Sequence, residues 1–167
     1  MAHDDRLERL RAVPLFAELK DRELKDVLGQ SREVEHTSGE IVEEGSKGVG
    51  FHLILDGTAT VLQGGEVRRT LGPGDYFGEI SLIDGKPRSA TIRPEGTVRT
   101  MSLTAWDFEP LLEKHPAMNR QLLLGLCAHV REAEARAARN KTARLKELRL
   151  AKEAAEKEAK TKQGIQD

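Results

Sequence analysis

One cysteine, one tryptophan, one tyrosine and four phenylalanines are spread over 167 residues. The single thiol, Cys127, excludes an internal disulfide framework and fits a reducing compartment, so a cytoplasmic location is expected. Cys127 itself reads as a small core hydrophobe. No apolar run approaches the ~18 residues of a membrane span. The start, Met1-Ala2-His3-Asp4-Asp5-Arg6, lacks the basic and apolar regions of a signal peptide. His36, His52, His115 and His129 share no short spacing, whereas a metal site needs clustered ligands. His52 lies in an apolar run and reads as a hydrogen-bonded structural histidine. No Ser/His/Asp arrangement and no Walker-type loop is present, so no catalytic residue, metal or cofactor is expected and the chain reads as a non-enzyme.

The net charge of −1 conceals an asymmetry. Residues 131–162 carry 11 Lys/Arg against 6 Glu, while the first 130 residues net −5. A basic run of this kind suits an acidic partner or a solvated face. A DNA-reading domain would need about 60 further residues with two apolar helices around a tight turn. After Val130 the large apolar residues are Leu145, Leu148, Leu150 and Ile165, too few for such a core. Sequence-specific DNA binding is therefore not expected, nor is a membrane association.

Residues 1–30 read as a helical segment, with Leu24, Val27 and Leu28 on one face and Gly29 as a C-terminal cap. Between 31 and 105 short β-branched runs alternate with turns: Val34 to His36, Phe51 to Leu55, Thr58 to Leu62, Glu66 to Leu71, Ala90 to Arg93 and Val98 to Leu103. Asp56-Gly57, Gly64-Gly65, Pro73-Gly74 and Asp84-Gly85 punctuate them. Short strands at close spacing predict a mainly β sandwich or jelly-roll barrel with flanking helices. A helix follows from about Trp106 to Lys114, and a long one from Pro116 with a stripe of Leu122, Leu126, Val130, Ala133 and Ala137. Residues 106–138 thus read as two helices, one short and one long. Residues 139–167 read as a charged tail: a solvated rod, a weak coiled coil or a frayed end.

The densest chemistry lies in residues 76–91. Tyr76-Phe77-Gly78-Glu79-Ile80-Ser81-Leu82 is followed after four residues by Pro87-Arg88-Ser89-Ala90-Thr91. One carboxylate, one guanidinium and hydroxyls beside a small-residue turn suit a small anion carrying a neighbouring hydroxyl. A short helix opening at Gly78-Glu79 would aim free N–H groups at a phosphate. Arg88 would add a fixed charge and a planar fork of donors. Ionised Glu79 only accepts hydrogen bonds, so its natural partner is a hydroxyl such as a ribose 2′-OH.

These two runs resemble the phosphate-binding cassette of cyclic-nucleotide-binding domains, the modules of catabolite activator proteins, kinase regulatory subunits and nucleotide-gated channels. Gly45-Ser46-Lys47-Gly48, Leu71-Gly72-Pro73-Gly74-Asp75, Asp107-Phe108 and Pro116 extend the likeness over roughly residues 10 to 135. The resemblance implies an eight-stranded double-stranded β-helix over 31–105 followed by hinge and lid helices over 106–138, stand-alone and without a DNA-binding domain. It implies a regulatory receptor whose ligand is cyclic AMP, or cyclic GMP as the runner-up. The implied ligand-binding residues are Gly78, Glu79, Ile80, Ser81, Arg88, Ser89 and Ala90. Glu79 falls to the ribose 2′-OH and Arg88 to the cyclic phosphate. Base-facing candidates are Val61 and Leu71, and Leu126, His129, Val130 and Arg131 in the lid. No Phe, Tyr or Trp follows Phe108, a departure from members that cap the base with an aromatic ring. Ligand binding would reposition the C-terminal helix to control a partner, through a protein contact or self-association by residues 117–162. The alternatives are an adaptor of the same fold that takes another small anion or none, and a cupin-like metal enzyme.

Overall fold

The computed structural model describes residues 3–48 and 50–163, and two compact units divide the chain between Leu122 and Leu123. In the first unit, α1 (His3–Arg11), a 3-10 turn (Pro14–Phe16) and α2 (Asp21–Gln30) precede β1 (Arg32–His36), β2 (Gly50–Asp56), β3 (Ala59–Gln63) and β4 (Glu66–Leu71). Then come β5 (Tyr76–Phe77), α3 (Glu79–Asp84), β6 (Thr91–Pro94), β7 (Val98–Thr104) and α4 (Ala105–Lys114). The final helix, α5, is Pro116–Gln163. Met1, Ala2 and Ile165 lie outside the described residues.

Two antiparallel sheets form, one ordered β1-β7-β2-β5 and the other β4-β3-β6. Alternation along the strands sorts the side chains into two cores. Phe51, Leu53, Met101 and Leu103 face the helices and pack with Leu10, Phe16, Leu24, Phe108, Leu111 and Met118. Phe51 and Phe108 stack with centroids 4.8 Å apart. On the other face, Ile54 and Val98 join Ala59, Val61, Leu71, Phe77 and Ile92 between the sheets. Strand β2 is thus packed on both faces, which explains the nearly continuous apolar run from Phe51 to Leu55, whereas β7 alternates and β1 is largely exposed.

Seven strands are present among the described residues, not the eight expected. The segment after β1 makes only a bridge between Val42 and Ile92. Its backbone groups are engaged elsewhere: Gly45 N donates to Arg88 O, Arg88 N to Ser46 O, and Ser46 N to Glu43 O. β5 was not expected, because two residues carry no periodicity. Gly29 is not a cap: α2 runs on through Gln30, and the Ser31 hydroxyl and N–H both donate to Leu28 O.

Met118 and Leu122, in the opening turns of α5, are buried. Along the second unit Leu126 is half-buried, while Val130, Leu145, Leu148 and Leu150 are exposed. Two i,i+4 ion pairs, Arg149–Glu153 and Lys152–Glu156, support its far part. Cys127 is exposed rather than buried. Five residues separate it from Leu122, a turn of roughly 140° around the helix, which takes the thiol off the buried face. Trp106, in the first turn of α4, is 88% exposed. No helix among the described residues is long and apolar enough to cross a membrane.

Candidate functional site

The second strand of the register pair His52↔Phe77 delivers the chain to Gly78, whose φ of 95° turns it into α3. A side chain at Gly78 would also collide: a Cβ there would lie 2.5 Å from Gly50 O and 2.7 Å from an Arg88 terminal nitrogen. Glu79 opens the helix and is buried, at 3% exposure. Its carboxylate accepts from the backbone N–H groups of Glu79 and Ile80. The Glu79 carboxylate thus turns back toward the first N–H groups of its own helix. Burial pushes the Glu79 carboxyl above the ordinary carboxylate range, opposed by those N–H groups and by the Arg69 and Arg88 guanidiniums. Arg69 carried no signal in the sequence. It reaches Glu79 only because β4 runs antiparallel to β3, with Val61 opposite Arg69.

Arg88 is 5% exposed. Its Nη1 donates to Gly78 O at 2.7 Å and its Nη2 to Gly50 O at 2.6 Å. Both acceptors are neutral, and the buried Nε has no partner among the described residues. Burial lowers its pKa, offset by Glu79. A Cβ at Gly48 would stand 1.5 Å from Arg88 Nε, so only glycine lets this backbone lie against the guanidinium. The result is a desolvated cation presented on a frame of glycine backbone, with hydrogen-bonding capacity unspent.

The remaining cassette residues follow from this frame. Ser81 is buried, Ile80 is 39% exposed, Ser89 is exposed, and Ala90 packs against the inter-sheet core. Val61 and Leu71 lie in that same core with Phe77. Leu126, His129, Val130 and Arg131 belong to the second unit. A cavity of about 460 Å³ opens beside Arg88, lined also by Val42, Lys47, Gly48, His52 and Ser102. His52 donates to or accepts from Ser102 Oγ at 2.7 Å and stacks on Phe77 with centroids 5.0 Å apart. Burial above all, then Arg88 and His36, pushes its pKa down to about 4, so the ring is neutral near pH 7. Among the described residues no His/Cys/Asp/Glu group is arranged to hold a metal ion.

Residues 36–115 match the family model described as "Cyclic nucleotide-binding domain". A "cAMP-dependent protein kinase regulatory subunit" from Emericella nidulans is 35% identical over 106 residues, 62% of this chain and 26% of that protein. A "Cyclic nucleotide-gated potassium channel" from Mesorhizobium japonicum is 35% identical over 106 residues, 63% of this chain and 29% of that protein. The chain therefore spans under a third of these relatives' lengths. Among solved structures, Thermus thermophilus catabolite activator protein superposes with a TM-score of 0.66 at 29% identity, covering 72% of this chain and 60% of that one. The regulatory domain of Toxoplasma gondii PKA with cAMP gives 0.65 at 26%, covering 75% of this chain and 49% of that one. The antiparallel β-roll with flanking helices is the fold these share, and through residues 36–115 this chain belongs to the cyclic nucleotide-binding domain family.

Proposed function

We propose that this protein is a regulatory receptor for a cyclic nucleotide, with cyclic AMP the preferred ligand. The observation that carries the reading is the Arg88 guanidinium, desolvated, seated between Gly48 and Gly78 and adjoining Glu79. A cyclic phosphate supplies the anion that such a cation lacks, and a ribose 2′-OH supplies the donor that a carboxylate accepts from. In this reading Arg88 holds the phosphate and Glu79 the 2′-OH. Gly78, Ile80, Ser81, Ser89 and Ala90 line the phosphate pocket, and Val61 and Leu71 form a wall for the base. The printed descriptions of related proteins, one of them co-crystallised with cAMP, support the ligand class. In this reading the site's groups serve binding, a cation for the phosphate and a carboxylate for the hydroxyl.

The output, in this proposal, is a shift of α5: Leu126, His129, Val130 and Arg131 close over the base, and residues 139–162 present basic charge to an acidic protein partner. A ligand can move such an equilibrium only through its differential affinity for the two states. One structural neighbour is described as the regulatory subunit of a cAMP-independent kinase, which favours a second reading, the same fold with another small anion or none. Isothermal titration with cyclic AMP and cyclic GMP decides between them. Saturable 1:1 binding of cyclic AMP that is lost in Arg88→Ala supports the proposal; no heat with either nucleotide overturns it.

A further inference from the structure

A line of polar side chains crosses the larger sheet inside the roll, where apolar residues would be expected. His36 Nε2 on β1 lies 3.0 Å from Thr100 Oγ1 on β7. Thr100 Oγ1 lies 3.1 Å from Ser102 Oγ, and Ser102 Oγ lies 2.7 Å from His52 Nδ1 on β2. His52 then stacks on Phe77 of β5 at an interplanar angle of 15°. In the strand order β1-β7-β2-β5 the line touches every strand of the sheet. It ends one residue before Gly78, the carbonyl that holds Arg88.

The hydrogens along this line are countable. Three links need three protons, and the two hydroxyls supply one each. The third must come from an imidazole at one end. If His36 Nε2–H donates, the hydroxyls point onward and His52 Nδ1 accepts, leaving the His52 proton on Nε2. If His52 Nδ1–H donates, the line runs in reverse and His36 Nε2 accepts. The tautomers of two histidines on different strands are thereby coupled through a hydroxyl, Thr100, that is fully buried. Chains of this kind are rigid when every member is satisfied.

We infer that His36, Thr100, Ser102 and His52 act as one positioning unit for the cassette, setting the ring on which Phe77 lies and hence the placement of Gly78 and Arg88. His52 sits in the middle of the frame: its strand neighbour Gly50 supplies the second carbonyl to Arg88, and its cross-strand partner Phe77 leads into the first. The inference rests on the cyclic-nucleotide reading for its functional consequence, but not for its structural one.

Ser102→Ala removes the central hydroxyl with little change in volume, Ser102→Thr restores it, and His36→Gln alters the far end. In the nucleotide-free protein, Ser102→Ala and His36→Gln should both move the amide resonances of Phe77 and Gly78; unmoved resonances overturn the inference whatever the ligand. Imidazole ¹⁵N spectra of the wild type should show a proton on only one of the two linked nitrogens, His36 Nε2 or His52 Nδ1. A proton on neither breaks the line, and protons on both leave the two tautomers uncoupled; either result overturns the coupling. Cyclic AMP affinity should fall roughly three- to tenfold in Ser102→Ala, the size of one net hydrogen bond, and return to within about twofold in Ser102→Thr. If the wild type binds cyclic AMP and Ser102→Ala binds it equally well, the unit does not position the site. If the wild type does not bind cyclic AMP, the ligand assignment has failed, and the amide shifts alone judge this inference.

Discussion

Gly48→Ala tests the arginine frame without substituting Arg88 or Glu79. The added methyl carbon would stand 1.5 Å from Arg88 Nε, 2.1 Å from Cζ and 2.3 Å from Nη2, far inside any allowed contact. The guanidinium is the far end of a flexible side chain, so it leaves and the backbone stays. It forfeits hydrogen bonds to Gly78 O and Gly50 O, charge-assisted contacts worth about 1.5–3 kcal/mol each, while regaining hydration that offsets most of this. The net loss of stability should be about 1–3 kcal/mol, leaving a folded protein. Losing the partner of a buried anion costs about 2–5 kcal/mol of binding in comparable charge pairs. Gly48→Ala, which displaces the cation but does not delete it, belongs at the lower end, about 30-fold weaker for cyclic AMP. Titration calorimetry measures this against wild type, Arg88→Ala and the double variant. Because both changes act through one guanidinium, the double variant should bind no worse than Arg88→Ala. A folded Gly48→Ala that binds cyclic AMP within about threefold of wild type would refute the frame.

Arg88→Ala alone should lower cyclic AMP affinity by about 30-fold to several-thousand-fold while circular dichroism still reports a folded chain. Glu79→Gln should cost less, and wild type should discriminate against 2′-deoxy cyclic AMP where the variant does not; equal wild-type affinity for both nucleotides removes Glu79 from the ribose. The His52 pKa is depressed from 6.5 to about 4 in the fold, so the unfolded chain takes up its proton first as pH falls. Stability from this group is complete above about pH 6.5 and declines toward pH 4, by roughly 3 kcal/mol in all. Denaturant titrations from pH 7 to 4 should show that part of the decline missing in His52→Gln. Hydrogen exchange over residues 117–138 should slow at saturating cyclic AMP, and identical rates would count against a moving helix. Truncation after Ala138 should leave nucleotide affinity within about threefold and abolish capture of any acidic partner.

The elements legible in the sequence were those whose pattern is local. Glu66 to Leu71 coincides with β4, and most other strand runs lie within one or two residues of the observed bounds. The Gly45 to Gly48 run could be matched by resemblance, but its reason could not: a collision between Gly48 and an arginine forty residues away exists only in three dimensions. Glu79 shows the same limit from the other side. Its type and place were readable, yet the carboxylate turning back onto its own helix depends on burial that no spacing reports. Arg69 and the line from His36 to His52 were hidden because antiparallel register, not proximity in the chain, brings their partners together. Cys127 misled because composition says what a thiol prefers and only helical phase says where it points.

The indole of Trp106, the chain's only one, projects into solvent from α4 and meets water in the native and the unfolded protein alike. Its emission should therefore change little on denaturation, and an unfolding curve recorded by tryptophan fluorescence would look flat while the β-roll dissolves. Tyr76, half-buried against Phe51 in the helix-facing core, is the one other chromophore of note and lies two residues before Gly78, with the Glu79 charge felt at its phenol. The two rings divide the optical work: Tyr76 absorbance follows the cassette, and Trp106 provides a quiet baseline on which any packing of a partner against α4 would register as a blue shift.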